Sequence, residues 1–229
     1  PPRLVMVAGG LLYAAKRAAP QNSRAPRSVF PPDDRVAVPA NASYPHAAVG
    51  RLALEGGGWC SGALVGNDSV LTAAHCVYDL RQRAWRRLTG FAPNGRAAVA
   101  VERVHALECW MQGAMSAGGS MDDCDPAWRC DLAPVRVGVS GYPLDKSGQW
   151  THDNCPIGPA DDGDCADRRL SFTCDLERGE SGGPVWVRPP GDNAYVIGVV
   201  SNQCGPPCAN GAYELASADI ATIVRWMRT

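Results

Sequence analysis

Three short motifs contain the residue types of nucleophilic catalysis, in the order His, Asp, Ser. His75 lies in TAAHC at residues 72–76, Asp131 begins DLA, and Ser181 lies in GESGGP at residues 179–184. A serine hydroxyl becomes a good nucleophile only when a neighbouring imidazole accepts its proton, and that imidazole needs a carboxylate to fix its tautomer. We therefore predict that these three residues are catalytic. The alternative is a structural histidine, a solvated aspartate and a glycine-rich hairpin.

The glycines around Ser181 predict a tight turn. Glycine adopts backbone conformations that other residues avoid, so such a turn can aim backbone N–H groups at one point. N–H groups arranged in this way stabilise the negative oxygen that forms during acyl transfer. We predict that the N–H groups of Gly179 and Ser181 form this oxyanion hole.

The composition narrows the class of protein. The chain has 229 residues, 45% of them hydrophobic, and a net charge of -1, which predicts neither a nucleic-acid partner nor an anionic membrane. Ten cysteines without a C-x-x-C pair favour disulfides, and hence secretion or another oxidising compartment. A metal cluster of His105, Cys109, Cys124 and Cys130 is the alternative, but our prediction is that the protein has no metal and no cofactor, since no nucleotide-binding glycine loop occurs.

Short apolar runs separated by turn residues predict an all-β fold. The predicted strands are residues 47–54, 61–65, 69–72, 97–104, 135–140, 183–187 and 195–200. One α-helix is predicted at the carboxyl end, over residues 217–228. Its apolar face would consist of Ile220, Ile223, Val224 and Met227, which recur at helical spacing.

Residues 1–35 differ from the remainder, because they are rich in proline and arginine and contain no cysteine. We predict that they form a pro-segment or a linker. The longest apolar run, residues 4–15, is too short to span a bilayer, which needs about 20 residues. It fits either the end of a signal peptide or a propeptide element.

With these motifs the chain resembles the trypsin/chymotrypsin family of serine endopeptidases. Cys60 and Cys76 have the family's spacing of sixteen residues, and VIGVVS at residues 196–201 is similar to the strand that lines the substrate cleft. The resemblance covers residues 36–229. It implies two six-stranded antiparallel β-barrels, about residues 36–134 and 135–229, with the catalytic triad between them.

Short stretches are similar to the V8-like glutamyl endopeptidases in particular. They are VFPPDDR at residues 29–35, YPHAAVG at residues 44–50 and SGYP at residues 140–143. Glutamate selectivity in that branch depends on a histidine whose place is taken here by Val200.

The resemblance also implies roles for individual residues. Cys60 and Cys76 would form a disulfide, and Asp175 would lie at the base of the primary pocket, where it would pair with a basic substrate residue. Ser201, Gln203 and Gly211 would line the same pocket. The substrate residue that the primary pocket prefers stays open: it could be basic, small or apolar, or acidic.

Local spacing predicts two further disulfides. Cys155 would pair with Cys165 across a polar loop, and Cys174 would pair with Cys204 or Cys208.

Two departures from the family affect these predictions. Glu180 replaces the aspartate that receives a new amino terminus when trypsin-like enzymes are activated; Val29 and Val36 are the candidates for that terminus, and the alternative is that both stay internal. Asp131 and Gly141 are only ten residues apart, so one or two strands could be missing and barrel edges could be unpaired.

The sequence thus predicts a secreted, monomeric serine endopeptidase that acts on peptides or proteins and could bind protein inhibitors. The alternative is an inactive homologue that serves as a binding or structural module.

Overall fold

The computed structural model describes residues 29–66, 68–79, 82–97, 103–107, 136–159, 169–191, 193–202, 210–215, 220–221 and 223–225. For residues 103–107 only the backbone is described. Within these ranges no helix has the length and apolar character needed to cross a membrane.

The described residues form fourteen strands and one α-helical turn. The strands are β1 Val36–Ala37, β2 Val49–Leu54, β3 Trp59–Leu64, β4 Ser69–Ala73, β5 Tyr78–Asp79, β6 Ala84–Trp85, β7 Leu88–Pro93, β8 Arg103–Leu107, β9 Arg136–Gly141, β10 Trp150–Pro159, β11 Arg169–Phe172, β12 Pro184–Val187, β13 Tyr195–Asn202 and β14 Asn210–Glu214. The helical turn α1, Ala74–Val77, follows β4, and a 3-10 turn, His46–Ala48, precedes β2. The fold is therefore mostly β, as the apolar runs predicted.

The second half of the chain forms a closed six-stranded barrel. Its strands follow the order β10, β11, β14, β13, β12 and β9, and β9 pairs again with β10. Every pairing in this barrel is antiparallel, as in Thr151 opposite Ser140 and Val199 opposite Tyr213. The expectation of unpaired barrel edges is thus wrong for this half, because β9 begins directly at residue 136 and closes the ring.

The first half forms a five-stranded sheet in the order β7, β2, β3, β4 and β8. Three of its four pairings are antiparallel, whereas β4 and β8 run parallel. Along β2, Val49 and Leu52 are buried while Arg51 faces out and lies over the Trp59 ring, 4.1 Å from its centroid. Val49 and Leu52 lie on opposite faces of the strand: Leu52 clusters with Phe91, whereas Val49 clusters with Trp186 and Ala194 of the second half.

Two large apolar clusters form the first and the second core. The first core contains Phe91, Leu52 and Val70 together with Val199, Tyr213 and Ile223 of the second half, whereas the second core, with Phe172 and Val185, lies within the second half. The two halves therefore pack against each other through the first core, so that residues from both can meet at one site.

Residues 29–37 lie on the second barrel. β1 pairs with β10, with Val36 opposite Thr151, although its residues fall in the range predicted for the first barrel. Residues 29–35, the end of the predicted pro-segment, contact the second barrel through hydrogen bonds described below. The predicted domain limits themselves stay predictions, and residues 1–28 lie outside the described part of the chain.

Helical backbone at residues 220–221 and 223–225 agrees with the predicted carboxyl-terminal helix, whose other residues lie outside the described ranges. Its predicted apolar face is only partly right. Ile223 is buried in the first core, whereas Ile220 and Val224 are exposed.

The disulfides confirm one prediction and correct two. Cys60 and Cys76 are bonded, as the resemblance implied. Cys155 bonds to Cys174, so the pairing of Cys155 with Cys165 and the pairing of Cys174 with Cys204 or Cys208 are both wrong. In the pairing of β10 with β11, Ile157 lies opposite Phe172, and two residues further along this register Cys155 lies opposite Cys174. Loop spacing does not reveal this register.

Candidate active site

His75 lies on a single helical turn that the neighbouring strands hold from both sides. β4 ends at Ala73, and α1 carries His75 between the buried residues Ala74 and Cys76. The Cys60–Cys76 disulfide ties this turn to β3. The turn is fixed to its sheet at both ends, while the imidazole itself is half-buried at the surface of the first unit.

Ser181 lies on a turn formed by residues 177–183, called the nucleophile turn from here on. Its carbonyl oxygen accepts the N–H of Ser61 at 2.8 Å and lies 3.6 Å from Sγ of Cys76. The backbone of Ser181 therefore contacts both the strand before the His75 turn and the residue that follows His75. The two predicted catalytic residues thus belong to one compact region, built from both halves of the chain.

Two glycines in the nucleophile turn adopt left-handed backbone conformations, Gly179 with φ of 95° and Gly182 with φ of 85°. A Cβ atom on Gly179 would overlap the carbonyl oxygen of Tyr142. A Cβ atom on Gly182 would overlap the Thr72 hydroxyl and the Ser61 carbonyl oxygen. Only glycine satisfies both the conformation and the space, which is the reason for the glycines that flank Ser181.

Ser61 connects the nucleophile turn to the loop that follows β9. Its Oγ donates to the carbonyl of Gly179 and accepts the N–H of Tyr142, each at 2.8 Å. Trp59 Nε1 donates to the carbonyl of Tyr142 at 2.7 Å. Ser61 thus holds the Gly179–Glu180 peptide, and the preceding Arg178–Gly179 peptide, which contains the Gly179 N–H, is held by Leu144, whose N–H donates to the Arg178 carbonyl. Sequence reasoning missed Ser61 and Trp59, since neither residue type signals this role.

Glu180 is the fully buried acid beside Ser181. Its Oε2 accepts the N–H of Glu177 at 2.6 Å, which closes the nucleophile turn on itself. Burial raises the pKa of Glu180 to about 8, against the opposing effects of the Glu177 N–H and of Arg35. The cation that faces Glu180 is the Arg35 guanidinium, with Nη1 at 3.9 Å from Oε2. The roles of Val29 and Val36 as new termini stay predictions.

Asp175 is buried, and its carboxylate binds the amino-terminal segment. Oδ1 accepts the N–H of Phe30 at 2.6 Å, and Oδ2 accepts the N–H of Asp34 at 3.0 Å. The N–H of Asp175 donates to Nδ1 of His152 at 2.9 Å. A pocket acid must offer a carboxylate to the substrate, whereas this carboxylate is 1% exposed as a residue and has backbone partners on both oxygens. The structure therefore disfavours the predicted pairing of Asp175 with a basic substrate residue.

The other predicted site residues are only partly described. Ser201 lies on β13, and Gly211 lies on β14 opposite Ser171 and Asn202. Asp131 and Gln203 fall outside the described ranges. The predicted roles of all four residues stay predictions.

Among the described residues, one group could in principle offer three ligand atoms to a metal ion. It consists of Cys60, His75 and Cys76, whose ligand atoms lie within 4.8 Å of one another. Both sulfur atoms belong to the disulfide and are not thiolates, so the donor set does not fit a metal ion. Of the alternative cluster, the side chain of His105 and the whole of Cys109, Cys124 and Cys130 lie outside the described part of the chain.

Comparison with known proteins agrees with this arrangement. The sequence model of the Trypsin family matches residues 38–110. A glutamyl endopeptidase of Bacillus licheniformis is 26% identical over 221 residues, covering 86% of this chain and 65% of that protein. The chain is thus similar to trypsin-like proteases and, among them, to a glutamyl endopeptidase.

Other relatives of this trypsin-like chain extend the comparison. A protein of Bacillus subtilis named extracellular metalloprotease is 26% identical over 187 residues, covering 70% of this chain and 58% of that protein. The chain thus spans about three fifths to two thirds of the length of these curated relatives.

Solved structures share the chymotrypsin-like fold. A Glu endopeptidase in complex with MPD superposes with a TM-score of 0.67 at 17% identity, covering 88% of this chain and all of that one. The thermostable serine protease AL20 from an extremophilic microorganism gives 0.53 at 18% identity, with 83% of this chain covered and all of that one.

Proposed function

We propose that the protein is a secreted serine endopeptidase that cleaves peptide bonds through an acyl-enzyme intermediate. The observation that carries this proposal is the packing of the nucleophile turn. Left-handed glycines, the Ser61 hydroxyl and the contact with Cys76 hold Ser181 beside the turn that carries His75.

In this mechanism Ser181 Oγ attacks the carbonyl carbon of the scissile bond while His75 accepts the hydroxyl proton. The N–H groups of Gly179 and Ser181 stabilise the resulting oxyanion. His75 then donates the proton to the leaving amine, and the C–N bond breaks to give the acyl-enzyme. Water, activated by the same imidazole, releases the acyl group. Asp131 has the role of orienting His75, and this assignment rests on the position of Asp131 in the sequence alone.

The hydrogen bonds of Asp175 favour substrates whose residue in the primary pocket is not basic. Asp175 is occupied by residues 30 and 34, so a lysine or arginine would find no free carboxylate there. The relative named glutamyl endopeptidase suggests an acidic residue, but Val200 stands where that branch has its histidine. A peptide library with each residue class at the primary position decides between small or apolar and acidic substrates; preferred cleavage after arginine would contradict this part of the proposal.

Secretion is supported by the two disulfides, which persist in oxidising compartments. Peptides or proteins are the expected substrates. The monomeric state of the protein stays a prediction, and so does its binding of protein inhibitors.

Labelling with a fluorophosphonate probe tests the proposal. The wild-type chain should be labelled at Ser181, as peptide mapping would show, and Ser181→Ala should not be labelled. His75→Ala should lower the labelling rate about 10⁴-fold, because the residues of a triad act as a unit. A folded wild-type chain that does not react would favour the inactive binding module. A metal chelator should leave the rate unchanged; loss of activity with the chelator would favour the metal-dependent chemistry that the name of the Bacillus subtilis relative suggests.

A further inference from the structure

The most unusual cation of the described structure is Arg35, whose side chain is 1% exposed. Its guanidinium donates to both carboxylate oxygens of Asp33, from Nε and Nη2 at 2.9 Å each. It also donates to both oxygens of Asp145, from Nη1 at 3.1 Å and from Nη2 at 2.7 Å. Such planar, twofold pairing fixes the orientation of the guanidinium.

A guanidinium has five N–H groups, and these four bonds use four of them. The remaining hydrogen is on Nη1, the atom that lies 3.9 Å from Glu180 Oε2. This oxygen is the same one that accepts the N–H of Glu177. Arg35 therefore points its last donor at the carboxylate that closes the nucleophile turn.

Arg35 also contacts the nucleophile turn indirectly. Its partner Asp145 follows Leu144, whose N–H donates to the carbonyl of Arg178 at 2.6 Å. The guanidinium thus lies where the amino-terminal segment, the loop after β9 and the nucleophile turn meet.

We infer that Arg35 is a positioning residue for the oxyanion hole: through Glu180 and Asp145 it holds the turn that carries Gly179 and Ser181. This inference rests on the proposed function. It assigns to an internal side chain the part that a newly formed amino terminus plays in trypsin-like activation, so the bond between Arg35 and Val36 stays intact in the active enzyme. Val36 is compatible with this role, because it lies on the edge strand β1, where it pairs with Thr151 and its side chain is exposed.

The charged groups around Glu180 set the conditions of the test. Arg35, which is paired with Asp33, faces it from the amino-terminal segment, Asp145 acts on it from the loop after β9, and Glu177 from its own turn. Because burial raises the pKa of Glu180 to about 8, assays are run about one pH unit above that value, where most of the carboxylate is charged.

The first experiment compares Arg35→Met with Arg87→Met in the full chain. Arg87 is a surface arginine, 77% exposed, that pairs with Glu55. Arg35→Met should lower kcat about 100-fold with KM changed less than about threefold, because a displaced oxyanion donor affects the transition state and not substrate binding. Arg87→Met should retain wild-type kcat. If the wild type is active and Arg35→Met has the same kcat, the inference is overturned but the proposed function is not. If the wild type does not react with fluorophosphonate, the proposed function is overturned.

The second experiment tests whether Arg35 acts through Glu180. Glu180→Gln keeps the shape and the acceptor for Glu177 N–H but removes the charge, and should lower kcat about tenfold. In the Glu180→Gln background, the fall in kcat caused by Arg35→Met should be at least about tenfold smaller than the fall it causes in the wild type. Independent effects that simply multiply would contradict the inference. If Arg35→Met does not fold, Glu180→Gln decides, and wild-type kcat in that variant overturns the proposal.

The third experiment follows the chain itself. The fluorophosphonate-labelled protein is digested, and the peptide that spans Arg35 and Val36 is measured by mass spectrometry. We expect this peptide to be intact in the labelled fraction. Labelled protein that begins uniformly at Val36 would overturn the inference.

Discussion

Two turns of this molecule are rich in left-handed glycines, and they differ in what surrounds them. The exposed turn of residues 55–58 joins β2 to β3 and contains three such glycines, none of which has a neighbour within 4 Å of a Cβ placed there. The nucleophile turn contains two, and both are pressed against backbone carbonyls of other segments. In the exposed turn glycine serves only the backbone conformation, whereas in the nucleophile turn it also allows close contact with β3, with β4 and with the loop after β9.

The largest difference between the turns is expected for alanine at Gly182. Its Cβ would overlap the Thr72 hydroxyl and the Ser61 carbonyl, in addition to the strain of φ at 85°. We expect Gly182→Ala to lower the free energy of unfolding by more than about 3 kcal/mol and to abolish acylation. Thermal unfolding and fluorophosphonate labelling measure both effects. A stable and active variant would mean that the turn can move away from Ser61.

The two turns also each contain a glutamate, buried Glu180 and exposed Glu55. Because burial raises the pKa of Glu180 from 4.5 to about 8, the folded protein holds this proton more tightly than the unfolded chain. Glu180 therefore contributes stability below about pH 4.5 that is lost as the pH rises through about 8. Relative to Glu180→Gln, the wild type should lose about 2 kcal/mol or more between these values. Denaturant unfolding at several pH values tests this, with Glu55→Gln as the matched control; equal pH dependence in both variants would contradict it.

A smaller effect is expected for Ser61→Ala. The substitution removes one donor and one acceptor, leaving the Gly179 carbonyl and the Tyr142 N–H without these partners. We expect a loss of about 1–3 kcal/mol in stability and a clear fall in kcat. Ser69→Ala, in which the lost hydroxyl bonds only Asp68, is the control for serine removal. A stability loss in Ser61→Ala without any change in kcat would show that the Gly179 peptide keeps its orientation unaided.

The smallest effect is expected for Gly57→Ala in the exposed turn. Only the strain of φ at 92° opposes the new methyl group, since nothing lies within 4 Å. We expect a loss of about 1 kcal/mol and unchanged labelling. A loss as large as that of Gly182→Ala would remove the distinction between the two turns.

Sequence reasoning succeeded where a function constrains neighbouring residues along the chain. The apolar runs predicted β2, β3, β4, β9, β12 and β13 but missed β7, β10, β11 and β14. The motifs around His75 and Ser181 predicted segments that the fold brings together. It failed where the deciding contact depends on strand register or joins distant segments. Cys155 pairs with Cys174 because the register of β10 on β11 places them opposite each other, and the spacing of the cysteines does not encode that register.

The same limit applies to Asp175 and Arg35. Asp175 has the position of a pocket acid, but its role depends on where residues 30 and 34 lie. The positioning role of Arg35 is equally hidden in the sequence, because Asp145 and Glu180 are distant from it along the chain. Charge pairing between distant segments has no periodic signal, so only the structure reveals it.

The docking of the amino-terminal segment has a consequence for how the chain is synthesised. Phe30 binds Asp175, which is 145 residues further on, and Arg35 binds Asp145, which is 110 residues further on. During translation at about 5–20 residues per second, residues 30–35 therefore wait on the order of ten seconds for partners that the ribosome has not yet made. The nucleophile turn cannot be braced until that segment returns to the second barrel. A nascent chain consequently cannot assemble the site that Arg35 supports before synthesis has passed Glu180.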